Sequence, residues 1–178
     1  GQDPENQLCT DDFAGHWAHN ANLSVKAIMG MAGYSEMAKM LGFNNIADKY
    51  ATIAKKMAVK WEEMANEGDH YRLAFDREDT WSQKYNMIWD KMWNLNLFPN
   101  NVIGKEINYY LTKQNPYGLP LDSRKDYTKS DWIMWTAAMS SDQITFEKFV
   151  DPLYKYVNET ISRVPISDWY DTKTNQMT

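Results

Sequence analysis

With 178 residues and a mass of 20.8 kDa, the chain has the length of a single domain. Its 19 basic and 24 acidic residues leave a net charge of −5, which argues against a nucleic-acid partner, because neutralising phosphates takes a basic face. The longest apolar runs, such as Trp132 to Met139, fall far short of the roughly 20 residues of a membrane span.

Leu, Ile, Val and Phe are sparse, and composition alone would flag a chain too poor to fold. Eight Trp, 11 Tyr and 11 Met make good the deficit, since each aromatic ring buries roughly 150–250 Å². The expected core is therefore aromatic and thioether-rich. One cysteine, Cys9, excludes an internal disulfide and any multi-cysteine zinc site. The chain opens Gly1-Gln2-Asp3-Pro4, with neither an initiator Met nor a leader pattern, and reads as an excised segment.

Apolar spacing predicts helices almost throughout. The first spans about Asn20 to Leu41 and is apolar nearly all round. The second spans Asn45 to Ala65, with a single stripe of Ile46, Tyr50, Ile53, Met57, Trp61 and Met64. A third is expected over Trp81 to Leu97, stopped by Pro99, and a fourth over Asn101 to Thr112. The fifth covers Asp131 to Ser140. The sixth covers Ile144 to Ile161, where Asp151-Pro152 either kinks it or starts a second piece. Helices one, three and five read as buried, and two, four and six as half-exposed. That alternation predicts an all-α fold of stacked helical hairpins with an inner and an outer layer. The alternating Tyr71 to Phe75 is too short to argue for a sheet.

The connections carry the chemistry. Cys9 to Asn20 precedes helix one, Phe75 to Lys84 precedes helix three, and Tyr117 to Trp132 precedes helix five; Ser167 to Asp171 looks like the start of a fourth such segment. In antiparallel hairpins every inner helix starts at the same end, so these segments converge on one face. Thr80, Ser130 and Asp131 are ordinary capping types, whereas Asp76, Glu78, Asp122 and Arg124 exceed what capping needs.

These segments resemble the glutaminase A-type family. The resemblance rests on Thr10 to Ile28 (TDDFAGHWAHNANLSVKAI), Asp76 to Asn86 (DREDTWSQKYN), Tyr117 to Arg124 (YGLPLDSR), Tyr127 to Trp132 (YTKSDW) and Ser167 to Thr172 (SDWYDT). It implies a secreted or periplasmic protein and a six-hairpin α/α toroid similar to those of glycoside hydrolases. Only three hairpins are read here. Residues 1–178 are thus expected to be one helical domain within a larger six-hairpin unit, with 1–18 an N-terminal loop segment and 167–178 the start of a further inner-helix loop.

Hydrolysis of an amide or a glycoside needs an acid for the leaving group and a base or nucleophile opposite it. Glu78, Asp12, Asp76 and Asp131 are the candidate catalytic carboxylates. His16, Asn20, Trp81, Lys84, Arg124, Tyr127 and Trp132 are the candidate substrate-binding residues. In this reading Arg124 and Lys84 clamp a substrate carboxylate, Arg124 bidentately, and Trp81 and Trp132 hold an apolar or sugar face. The plain alternative is a structural ion-pair network of the same carboxylates with Arg77, Lys84 and Arg124. Cys9 with His16 or His19 is a conceivable dyad, but a lone Cys is more simply a small buried residue. His16 and His19 with Asp11 or Asp12 lack a defined third metal ligand, so neither metal nor cofactor is expected. The resemblance implies hydrolysis of glutamine to glutamate and ammonia; a glycosidase on the same toroid, or a non-catalytic carbohydrate- or peptide-binding scaffold, stays open. The expected partners are a small-molecule substrate, glutamine or a sugar, and the remaining hairpins, with no nucleic acid and no membrane span.

Overall fold

The computed structural model describes residues 1–5 and 15–177. Six α-helices and one small two-stranded sheet run through them. Helix α1 spans Ala21–Met40 and α2 spans Asn44–Ala65. A 3-10 turn at Tyr85–Met87 runs into the short α3, Ile88–Trp93. Then come α4, Asn100–Leu111, strand β1, Tyr127–Lys129, α5, Ser130–Ala138, α6, Gln143–Glu159, and β2, Trp169–Asp171. The fold is the expected all-α arrangement of hairpins, because helical apolar spacing dominates the chain.

Helix α1 starts where the Asn20 side chain accepts from the Leu23 amide at 2.9 Å, meeting one of the unpaired first-turn donors. It ends at Gly42 (φ +79°), whose left-handed backbone lets Phe43 N–H reach Ala38 O at 2.9 Å. The chain turns back there and α2 packs along α1. Ala32 and Ala38 on α1, and Ala47, Ala54 and Ala58 on α2, are buried; such small side chains let two helices approach closely. Trp61, fully buried, donates its indole N–H to Ala21 O at 2.9 Å and so pins the start of α1 to the end of α2.

The inner layer is α1, the 3-10 turn with α3, and α5. The 3-10 turn touches both α1 and α5, while α6 packs on α5. From α4, Val102, Ile107 and Tyr110 enter the same core. The core is aromatic as composition predicts: Trp61, Tyr71, Tyr85, Tyr110, Tyr156 and Tyr170 are among its largest fully buried side chains.

One local expectation is corrected. The helix expected over Trp81 to Leu97 is only the 3-10 turn and α3, because residues 81–84 are held extended by tertiary bonds; Gln83 N–H, for example, donates to Leu121 O at 2.8 Å. Its end comes early too, at Asn94, which takes the left-handed conformation (φ 52°). Of the two readings of Asp151-Pro152, the second piece is excluded, because Pro152 lies inside a continuous α6. Proline has no N–H for the carbonyl four residues back, and that carbonyl, Lys148 O, accepts instead from the Gln114 side-chain amide at 3.0 Å.

The helical fold also carries one small sheet. Strands β1 and β2 pair antiparallel, with Thr128 opposite Tyr170. Gly118 sits beneath them at φ +133°, a region open essentially to glycine alone. A Cβ there would lie 2.9 Å from Ile133 Cδ1 and 3.0 Å from the Tyr170 hydroxyl, which itself donates to Tyr117 O.

Candidate functional site

Main-chain and side-chain hydrogen bonds knit four polar segments together at the end of the molecule where the inner helices begin. Residues 15–20 meet the loop after α2: Phe75 N–H donates to His19 O at 2.9 Å, and Asn20 bridges Ala74. That loop in turn meets residues 117–126, where Ser123 N–H donates to Trp81 O at 3.0 Å and Ser82 bridges Asp122. The fourth segment joins through β2 and through Ser130 N–H, which donates to Asp168 O at 2.8 Å.

Arg124 is the clasp of this cluster. Its guanidinium donates to both oxygens of the buried Asp122, at 3.0 and 2.6 Å, and to Gly15 O at 2.6 Å. The guanidiniums of Arg124 and Arg77 also lie 5.2 and 4.6 Å from the Trp17 ring, so one indole serves two cations from different loops. Arg124 thus spends its fork on the protein, which departs from the expected carboxylate clamp.

Lys84 departs further. Its side chain is fully buried and its ammonium donates to Tyr71 O (3.1 Å), Ser82 O (2.9 Å) and Glu106 (3.4 Å). Those three partners match the three donors of an ammonium, so Lys84 fixes the loop rather than facing a ligand. Asn20 is likewise the α1 cap. Trp81 is 7% exposed, with its ring against Tyr109 and Tyr110. Trp132 is stacked on Tyr85 at 4.9 Å, with the Lys129 ammonium 5.0 Å from its ring. Tyr127 is half-buried and meets Trp169 edge-on.

The carboxylates face outward. Asp76, Glu78 and Asp131 are exposed, with Glu78 3.6 Å from the Arg72 guanidinium and Asp131 accepting from the Trp132 amide at 2.9 Å. His16 is exposed as well. Asp12, Asp11 and Cys9 lie outside the described residues. Among the described residues no group of three or more His, Cys, Asp or Glu is placed to hold a metal ion, and no helix is long and apolar enough to cross a membrane.

The model of the glutaminase A six helical-hairpin domain matches residues 1–178. The chain belongs to that family. It is 34% identical over 175 residues to Glutaminase A of Aspergillus oryzae, a match covering 96% of this chain and 25% of that protein. It is also 34% identical over 207 residues to a protein of Arthroderma benhamiae named "Probable glutaminase", covering 96% of this chain and 23% of the other. The chain therefore spans about a quarter of the length of these curated relatives.

In this glutaminase-family chain, reading the sequence missed His70, which lies at the same end. Its ring stacks on Tyr109 at 4.1 Å, with Asp69 2.7 Å from Nδ1 and Glu67 3.4 Å from Nε2. The alternating charges of Glu67, Asp69, His70 and Arg72 were the available signal. They brace the loop that presents Asp76 and Glu78: Glu67 accepts from the Asp79 amide at 2.9 Å and Arg72 donates to Phe75 O at 3.3 Å.

His19 ties in the N-terminal residues through a 2.8 Å bond between Nδ1 and Asp3, and its amide donates to Pro4 O. The Asp3 hydrogen bond is the largest cause that raises the His19 pKa above its ordinary 6.5, and desolvation partly opposes it. A raised folded value means that the tie is fully present below about pH 6.5 and is lost as pH climbs through the folded pKa. An NMR titration of the His19 ring is expected to give a midpoint above 6.5 that falls in Asp3→Asn. An unchanged midpoint in that variant would refute the tie.

Proposed function

We propose that this chain forms part of a glutaminase site that hydrolyses the side-chain amide of glutamine to a carboxylate and ammonia. What supports the reading is the meeting of four polar segments at one end of a fold whose named relatives are glutaminases. In the proposed reaction a carboxylate takes a proton from water as the water oxygen attacks the amide carbon, and a second group protonates the departing nitrogen. Glu78 is the proposed base, presented on the loop braced by Glu67 and Arg72. Asp76, two residues before it, is the proposed acid, with Asp12 and Asp131 as the remaining candidates. His16 and Tyr127 are proposed to line the substrate, and hairpins beyond these three to complete the cleft. In the same reading the parent protein is secreted or periplasmic.

Ammonia release from L-glutamine tests this, using the chain and a longer polypeptide that carries it. Loss of a general base costs about 10²-fold or more, so Glu78→Gln is expected to lower ammonia release by that factor with the fold intact. Ammonia release that survives Glu78→Gln would move the chemistry elsewhere. Cleavage of a glycoside panel without any ammonia release would replace the glutaminase reading with a glycosidase one.

A further inference from the structure

A cavity lies at the opposite end of the molecule from the polar loops. It holds about 490 Å³ where α3 and α5 end and α4 and α6 begin, within the range of small-molecule sites. Its polar wall comes from Asp90, Lys91, Asn94, Asn96, Asn108 and Thr145, and its apolar wall from Phe98, Ile103, Ile107 and Met139. We infer that this cavity is a binding site for a neutral, hydroxyl-rich small molecule the size of a single sugar ring.

The charges in the wall favour a neutral ligand. Asp90 is 5% exposed, and its two oxygens accept from the main-chain amides of Leu97 (3.0 Å) and Phe98 (3.1 Å). The Lys91 ammonium bridges Ala138 O (2.8 Å) and Ser140 O (2.7 Å), tying α3 to the turn after α5. Asp142 caps α6 through the Thr145 amide and hydroxyl, at 2.8 and 2.9 Å. Each formal charge is held by neutral groups of the chain, and the wall carries both signs, two carboxylates and one ammonium; a ligand with a net charge of either sign therefore meets a like charge beside its counter-charge, whereas a neutral one does not.

Hydrogen-bonding capacity remains. Each Asp90 oxygen keeps a lone pair beyond its one amide bond, Lys91 keeps one of its three donors, and the Asn108 side chain stands exposed on α4 with both a donor and an acceptor. Hydroxyls, which donate and accept at once, match such a mixture. The opposite wall offers Phe98 and Met139, both buried, against which the C–H face of a ring can rest. Asn94 and Asn96, at φ 52° and 54°, hold the turn between α3 and α4 in the left-handed region, and the Asn96 side-chain amide donates to Asn94 O at 3.0 Å. Gly104 leaves the mouth open, with nothing within 4 Å of where its Cβ would stand.

This site does not depend on the glutaminase reading. Two-dimensional amide NMR of the chain, titrated with D-glucose, N-acetyl-D-glucosamine and myo-inositol at millimolar concentrations, tests it. At least one of the three is expected to shift the Gly104 and Asn108 amides saturably. Gly104→Leu plugs the mouth while raising helix propensity, and is expected to weaken that binding by at least about tenfold. Asn108→Ala, an exposed position, is expected to weaken it with unchanged circular dichroism. Absence of shifts with all three probes, or shifts that persist in folded Gly104→Leu, would overturn the site. L-Glutamine shifting the same amides in preference to the polyols would overturn the neutral ligand class.

Discussion

Replacing Glu106 with Leu is expected to destabilise the fold by about 3–5 kcal/mol, the cost of leaving one partner of a buried ion pair uncompensated. Glu106 and Lys84 are both essentially inaccessible to solvent, and their 3.4 Å contact is one strand of a wider network. One Glu106 oxygen accepts from the Tyr71 amide at 2.9 Å, and the other accepts from Lys84 and from the Tyr110 hydroxyl. Burial and the neighbouring Glu106 charge push the Tyr110 hydroxyl well above the ordinary tyrosine range, so it stays a donor. Urea unfolding reads the loss. A second variant, Lys84→Met with Glu106→Leu, removes both charges and is expected to recover part of the stability. Recovery stops short of wild type because Tyr71 O and Ser82 O lose their ammonium donor. A Glu106→Leu midpoint equal to wild type would refute this account.

The same network explains why one stretch of the sequence was misread. Trp81, Tyr85, Ile88, Trp89, Met92 and Trp93 follow helical spacing, and a local reading makes them one stripe. Yet the Lys84 amide donates to the Tyr110 hydroxyl at 2.8 Å, and Gln83 reaches Leu119 O, Pro120 O and Thr136 with its side chain. These bonds from distant residues hold 81–84 out of the helix, and no window of local sequence contains them. The sheet was hidden for the same reason, since each strand has three residues and its partner lies some forty positions away. The longer helices were legible because their apolar stripes and caps are local. Asn20 before α1 and Asp142 before α6 both cap as their residue types suggest. The meeting of the polar segments followed from hairpin geometry alone. The division of labour inside the cluster did not, because Lys84 and Arg124 look alike in sequence whether their charge faces a ligand or a buried carboxylate.

That ambiguity makes Arg124 the more informative position to change. If it were a substrate clamp, Arg124→Leu would raise KM and leave stability alone. The structure leads to the opposite expectation. Removing the guanidinium strands the Asp122 carboxylate, whose side chain is 2% exposed, and an uncompensated buried charge costs about 3–5 kcal/mol. Asp122 keeps its bond from the Arg124 amide at 2.8 Å, which places the expected loss toward the lower end of that range. Arg124→Lys should recover little, because a point charge cannot reproduce a fork that meets both Asp122 oxygens and Gly15 O. The variant should also loosen residues 15–17 from the cluster, since both the Gly15 bond and one of the two cations on Trp17 are gone. Faster hydrogen exchange at Trp17 and Ala18, together with a lower urea midpoint, would mark Arg124 as the residue that holds the loops in place. A raised KM at unchanged stability would instead return it to the substrate.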